Sequence, residues 1–88
     1  MKKIEFSNPF KKSFKKTVSK NADVAFAVMQ KLFIMSQDIN HPSLKLHKLK
    51  GALGNYYAIS IEYDLRIILE IESEKIILID IGSHDEVY

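Results

Sequence analysis

Cysteine is absent from the 88 residues, which rules out disulfides and thiolate metal sites and fits a reducing cytoplasm. The opening stretch, MKKIEFSNPFKK, lacks the continuous apolar segment of a secretory signal. No run approaches the ~18 apolar residues that a membrane span requires, so no membrane association is expected. Glycine is scarce, at three residues, and none of the three builds a glycine-rich phosphate loop or a nucleophile elbow. Arg66 is the only arginine; every other strong base is a lysine. His41, His47 and His84 are too scattered for a close-spaced metal signature, so no metal and no other cofactor is expected.

What remains is ordinary globular material. Hydrophobic residues make up 47% and charged residues 27%, enough apolar surface to build one core and too much for a disordered chain. The length fits a single domain, residues 1–88, and there are no repeats, linkers or low-complexity stretches. The net charge is +2, unevenly spread. Lys2, Lys3, Lys11, Lys12, Lys15, Lys16 and Lys20 crowd the first quarter, whereas most acids follow Glu62. A basic half can attract a polyanion by counterion release, although a solvated lysine face would look the same.

The pattern reads β-α-α-β-β-β(-β). KKIEF can open as a strand; SNPF then offers Ser7 or Asn8 as a cap and Pro9 for the first helical turn. Phe10, Phe14 and Val18 recur every four residues and predict an apolar stripe. Asn21 breaks that helix, and Asp23 suits the cap or first turn of a second, DVAFAVMQKLFIMSQDI, in which Met29 and Met35 are expected as core filler. His41 precedes Pro42, which favours a surface loop. LKLHKLKG, NYYAISIEY, LRIILEI and KIILIDI follow as strand-like runs, with ESE as a tight turn between the last two. The expected fold class is α+β: two N-terminal helices packed on one face of a small antiparallel sheet.

Strand alternation places Leu65, Ile67, Leu69 and Ile71 on one face and Arg66, Ile68 and Glu70 on the other. An arginine held mid-strand can grip a phosphate with two parallel hydrogen bonds, or it can pair with Glu62 or Glu70. His47 is flanked by Lys45, Lys48 and Lys50, cations that favour its neutral form. The chain's last stretch, DIGSHDEVY, follows a glycine with His84 and Tyr88. Two histidines, an arginine and a tyrosine could make an RNA-cleaving site without a metal: one group would deprotonate a ribose 2′-hydroxyl, another would protonate the leaving 5′-oxygen, and the cation would steady the phosphorane.

The segments HPSLKLHKLKG, YYAISIEYDLRIILEI and KIILIDIGSHDEVY, with the order of elements, resemble the RelE/ParE superfamily of type II toxin–antitoxin toxins, closest to the RelE/StbE and YafQ-like branch. The resemblance implies a RelE-like microbial RNase-type fold and an mRNA interferase: an endoribonuclease acting on mRNA in the 70S ribosome A site, with a cognate antitoxin and a toxin–antitoxin hetero-oligomer. By position, it implies catalytic roles for His47, Asp64, Arg66, His84 and Tyr88, with Arg66 as the charge stabiliser and Tyr88 orienting or stacking on the substrate. Lys45, Lys48 and Lys50 would meet phosphates through their proximity to His47. Ala58 and Ser60 stand where YafQ-like toxins carry an acid and a histidine, and Arg66 stands where they are usually apolar, so the chain mixes two branches. The same superfamily includes ParE-type gyrase poisons, which need no acid–base set, and an inactive homologue serving as a binding partner is a third reading.

Overall fold

A computed structural model describes residues 2–62, 64–83 and 87. Its elements are β1 (Lys3–Phe6), α1 (Asn8–Lys20), α2 (Asp23–Gln37), β2 (His47–Lys48), β3 (Tyr57–Glu62), β4 (Leu65–Ile71) and β5 (Lys75–Ser83), with short 3-10 turns at Pro42–Leu44 and Gly51–Leu53. The five strands form one mixed sheet in the order β1-β5-β4-β3-β2. The antiparallel meander expected from the sequence runs from β2 to β5, and β1 adds a parallel strand along β5. Among the described residues no helix is long and apolar enough to cross a membrane.

Local chemistry starts each helix. The Ser7 hydroxyl caps α1 by accepting from the Phe10 amide at 3.2 Å, and it donates to the Ile79 carbonyl at 3.1 Å, tying the helix start to β5. Pro9 lies in the first turn, where its missing N–H leaves nothing unpaired. Phe10 is the buried residue of α1, and its ring stacks between Phe6 and Phe14 at 5.8 Å from each. Asp23 stands in the first turn of α2, where its charge complements the helix dipole. Val24, Val28, Leu32 and Met35 form one buried stripe of α2 against the sheet.

The core lies between the two helices and one face of the sheet. Leu44, Ile59, Ile67, Leu69, Ile76, Leu78 and Val28 are its most completely buried large side chains. Each contributes roughly 1.5–3 kcal/mol relative to an exposed side chain. The alternation in β3 and β4 matches the sequence pattern, with Tyr57, Ile59 and Ile61 and then Leu65, Ile67, Leu69 and Ile71 on the helix side. ESE makes the turn into β5, closed by the Glu72 amide donating to the Lys75 carbonyl at 2.8 Å.

Two expectations are corrected. Met29 is 60% exposed and is no core filler; Met35 is the buried methionine, because α2 carries apolar residues on both sides and only one side meets the sheet. LKLHKLKG is not a continuous strand. Pro42 initiates a 3-10 turn that buries Leu44, and Lys45 is left-handed at φ 51, so pairing is confined to His47 and Lys48.

Candidate functional site

The site is built on the sheet face turned away from the helices. Directly opposed residues in antiparallel strands share a face. His47, Ala58, Ile68 and Asp80 are successive partners across β2, β3, β4 and β5, and Ser60, Arg66 and Gly82 form the adjoining row. Two strand spacings and two residue steps separate His47 from Arg66, about 12 Å between Cα atoms. Ring and guanidinium on one face at that separation can reach a single phosphate from two sides.

His47 is exposed at the sheet edge, and its Nδ1 lies 3.0 Å from the Lys45 carbonyl. A carbonyl can only accept, so this bond sets Nδ1 as the protonated nitrogen of the neutral ring and Nε2 as its acceptor. The left-handed Lys45 backbone delivers that carbonyl. The sequence places Lys45 here as a phosphate-binding cation; the structure shows its backbone orienting the histidine, and a positive φ at lysine leaves no pattern from which to foresee it. Arg66 is half-buried, flanked by Ser60 on one side and by Gly82 on the other, where no Cβ competes for the space.

The remaining candidates divide. Lys48 pairs with Tyr57, whose ring packs against the core, so Lys48 emerges on the face opposite His47. Lys50 is exposed just before the second 3-10 turn. Asp64 is exposed in the β3–β4 turn and lines a cleft of about 230 Å³ on the helix side, with Lys16, Lys20, Asn21 and Ser83. His84 and Tyr88 lie outside the described residues. His41, an ordinary loop histidine in the sequence, is exposed and caps the 3-10 turn, its Nδ1 accepting from the Ser43 amide at 3.1 Å. Asp80, which no motif singled out, shares a row with His47 and accepts from the Ile81 amide at 2.9 Å. Among the described residues no three His, Asp or Glu side chains converge to hold a metal ion.

Residues 2–88 match a family model described as the bacterial toxin of type II toxin–antitoxin system, YafQ. No curated protein matches the chain significantly by sequence. The fold is similar to that of YafQ from E. coli strain BL21(DE3), at 19% identity over 100% of this chain and 99% of that one, with a TM-score of 0.78. It is also similar to a chain of the E. coli DinJ–YafQ complex, at 20% identity over 100% and 99% of the two chains, with a TM-score of 0.76. The YoeB/ParE toxin from Agrobacterium tumefaciens aligns at 15% identity over 93% of this chain and 98% of its own, again with a TM-score of 0.76.

Proposed function

Because the chain belongs to the YafQ family of type II toxin–antitoxin toxins, we propose that it is a cytoplasmic mRNA endoribonuclease that works at the ribosomal A site and is silenced by a cognate antitoxin. The observation that carries this reading is the shared sheet face: His47, its tautomer set by the Lys45 carbonyl, stands one row from the chain's only arginine.

In this reading Arg66 holds the non-bridging oxygens of the scissile phosphate and stabilises the charge that builds as the 2′-oxygen attacks phosphorus. The 2′-hydroxyl proton leaves to one histidine; the P–O5′ bond breaks, and the 5′-oxygen takes a proton from the other. The products are a 2′,3′-cyclic phosphate and a 5′-hydroxyl. His47 exchanges protons at Nε2. His84, next in the chain after Ser83, is assigned the other proton transfer; Gly82 of β5 stands directly opposite Arg66. Tyr88 is assigned to stacking on a base, and Lys50 to a neighbouring phosphate. Asp64, beside Lys16 and Lys20, is assigned to the rim, outside the proton transfers.

The test is a reconstituted translation reaction in which new mRNA 5′ ends are mapped with and without the protein. The parent is expected to cut mRNA on the ribosome. Intact mRNA together with gyrase-dependent DNA breaks would overturn the nuclease reading in favour of a ParE-type poison. Intact mRNA with no effect on gyrase would leave an inactive homologue.

A further inference from the structure

The end of the sheet opens into a cleft that the proposed proton transfers do not use. Leu65 pairs with Ser83 one row beyond Arg66 and Gly82, about 3.3 Å further along the strands. Among the described residues, Asp64 and Leu65 from the strand end and Lys16, Lys20, Asn21 and Val24 from the helical layer line this cleft, whose volume is about 230 Å³. That is below the ~300–1,000 Å³ of a pocket for a drug-sized ligand and suits one planar ring system.

The lining divides by kind. Val24, which is buried, and Leu65 supply apolar surface for the faces of a ring. Lys16 and Lys20 are exposed and four residues apart, so they stand on one side of α1. Asp64 is exposed too, and among the described residues no ion pair joins it to either lysine. Its carboxylate presents two acceptors side by side. Asn21 Oδ1 accepts from the Asp23 amide at 3.1 Å, which leaves the Asn21 Nδ2 donors for a ligand. A phosphate inside the cleft would meet the Asp64 charge. A base inside it, with its phosphate outside on the lysines, suits charges of both signs.

We propose that the cleft is a nucleobase subsite that selects guanine in the nucleotide flanking the scissile phosphate. The inference rests on the reading of this chain as a ribonuclease and makes Asp64 a specificity-determining residue of it. Single-stranded RNA is read on the Watson–Crick edges of its bases. Only guanine carries two adjacent donors there, N1–H and N2–H, to match both oxygens of Asp64, and its O6 accepts from Asn21 Nδ2. Adenine, cytosine and uracil each set an acceptor beside their donor, and that acceptor would face the carboxylate unpaired. The flanking nucleotide need only cross the sheet end, from the Arg66 row to the Leu65 row, to place its base in the cleft.

The probes are labelled uridine hexamers carrying one central guanine, adenine or cytosine, or none, with 2′-O-methyl groups throughout. Those groups remove the attacking hydroxyl, so binding is read without cleavage. Titrated into the full chain, the guanine hexamer is expected to bind at least about tenfold more tightly than the other three. Asp64→Asn, in an exposed turn, should bring the guanine and adenine hexamers to within about twofold of each other. The Lys16→Ala/Lys20→Ala double variant should weaken all four alike and flatten their dependence on salt. The proposal is overturned if no hexamer binds, if all four bind alike, if the guanine preference survives in Asp64→Asn, or if the lysine variant alters the preference rather than the overall affinity. A parent that selects guanine and yet leaves ribosome-bound mRNA intact defeats the nuclease reading and leaves the base site standing. Cut mRNA with no base preference in the titration defeats the base site alone.

Discussion

The two faces of the sheet are made from the same strands and answer to different demands. On the helix side, Ile59, Ile67, Leu69 and Leu78 are fully buried and interchangeable in kind: each must be apolar and of the right volume. On the other side the proposed chemistry depends on the identity of particular side chains. Arg66 and Ser60 stand in one row and His47 in the next, with Ala58 and Ile68 buried among them. If the proposed function holds, one residue step along β4 passes from stability to chemistry, so neighbouring substitutions should have opposite signatures.

Ile67→Ala should have the largest effect. It opens a cavity in the centre of the core and should cost about 3–4 kcal/mol, a large share of the ~5–15 kcal/mol that holds a domain of this size. Denaturant titration would show it as a lower midpoint. Arg66→Ala, one residue away, should leave that midpoint within about 1 kcal/mol and lower mRNA cleavage by about 10²–10³-fold. If Arg66→Ala unfolds the chain while cleavage per folded molecule is unchanged, the division between the faces fails. His47→Gln keeps a polar side chain that cannot exchange a proton, and single-turnover cleavage should fall by about 10²-fold without loss of stability. The smallest expected effect is on the helix side. Ser7→Ala removes the α1 cap and the tie to the Ile79 carbonyl, and it should lower the thermal midpoint through a loss of about 1 kcal/mol with no change in cleavage beyond the folded fraction.

The same contrast explains what the sequence could disclose. Local signals were legible because their causes are local: Ser7 and Pro9 at a helix start, the two-residue period of β3 and β4, and the ESE turn. The pairing of β1 with β5 was not, since it joins Lys3 to Lys75 across nearly the whole chain. Leu44 and Leu46 suggested a strand, but Pro42 and the left-handed Lys45 turn the backbone away from it. Met29 looked like core because periodicity reports that a helix has apolar sides without saying which of them is covered.

The shared face of the candidate site was legible to the extent that strand phase reaches. Arg66 falls on the helix-free face as its alternation predicts, and His47 shares that face. Lys48 emerges on the opposite face because its cross-strand partner is Tyr57, a relation fixed by register rather than by nearness to His47 in the chain. Asp64 sits in the β3–β4 turn, beyond the alternation that orients Arg66, and lines a cleft with Lys16 and Lys20.

The central claim is that this face cuts RNA by attack of the ribose 2′-hydroxyl. The most direct measurement is the chemistry of the ends it leaves on ribosome-bound mRNA. The account predicts a 2′,3′-cyclic phosphate on the upstream fragment and a 5′-hydroxyl on the downstream one, with both ends lost in Arg66→Ala. Fragments bearing 5′-phosphates, or equal cutting by the Arg66→Ala variant, would contradict it.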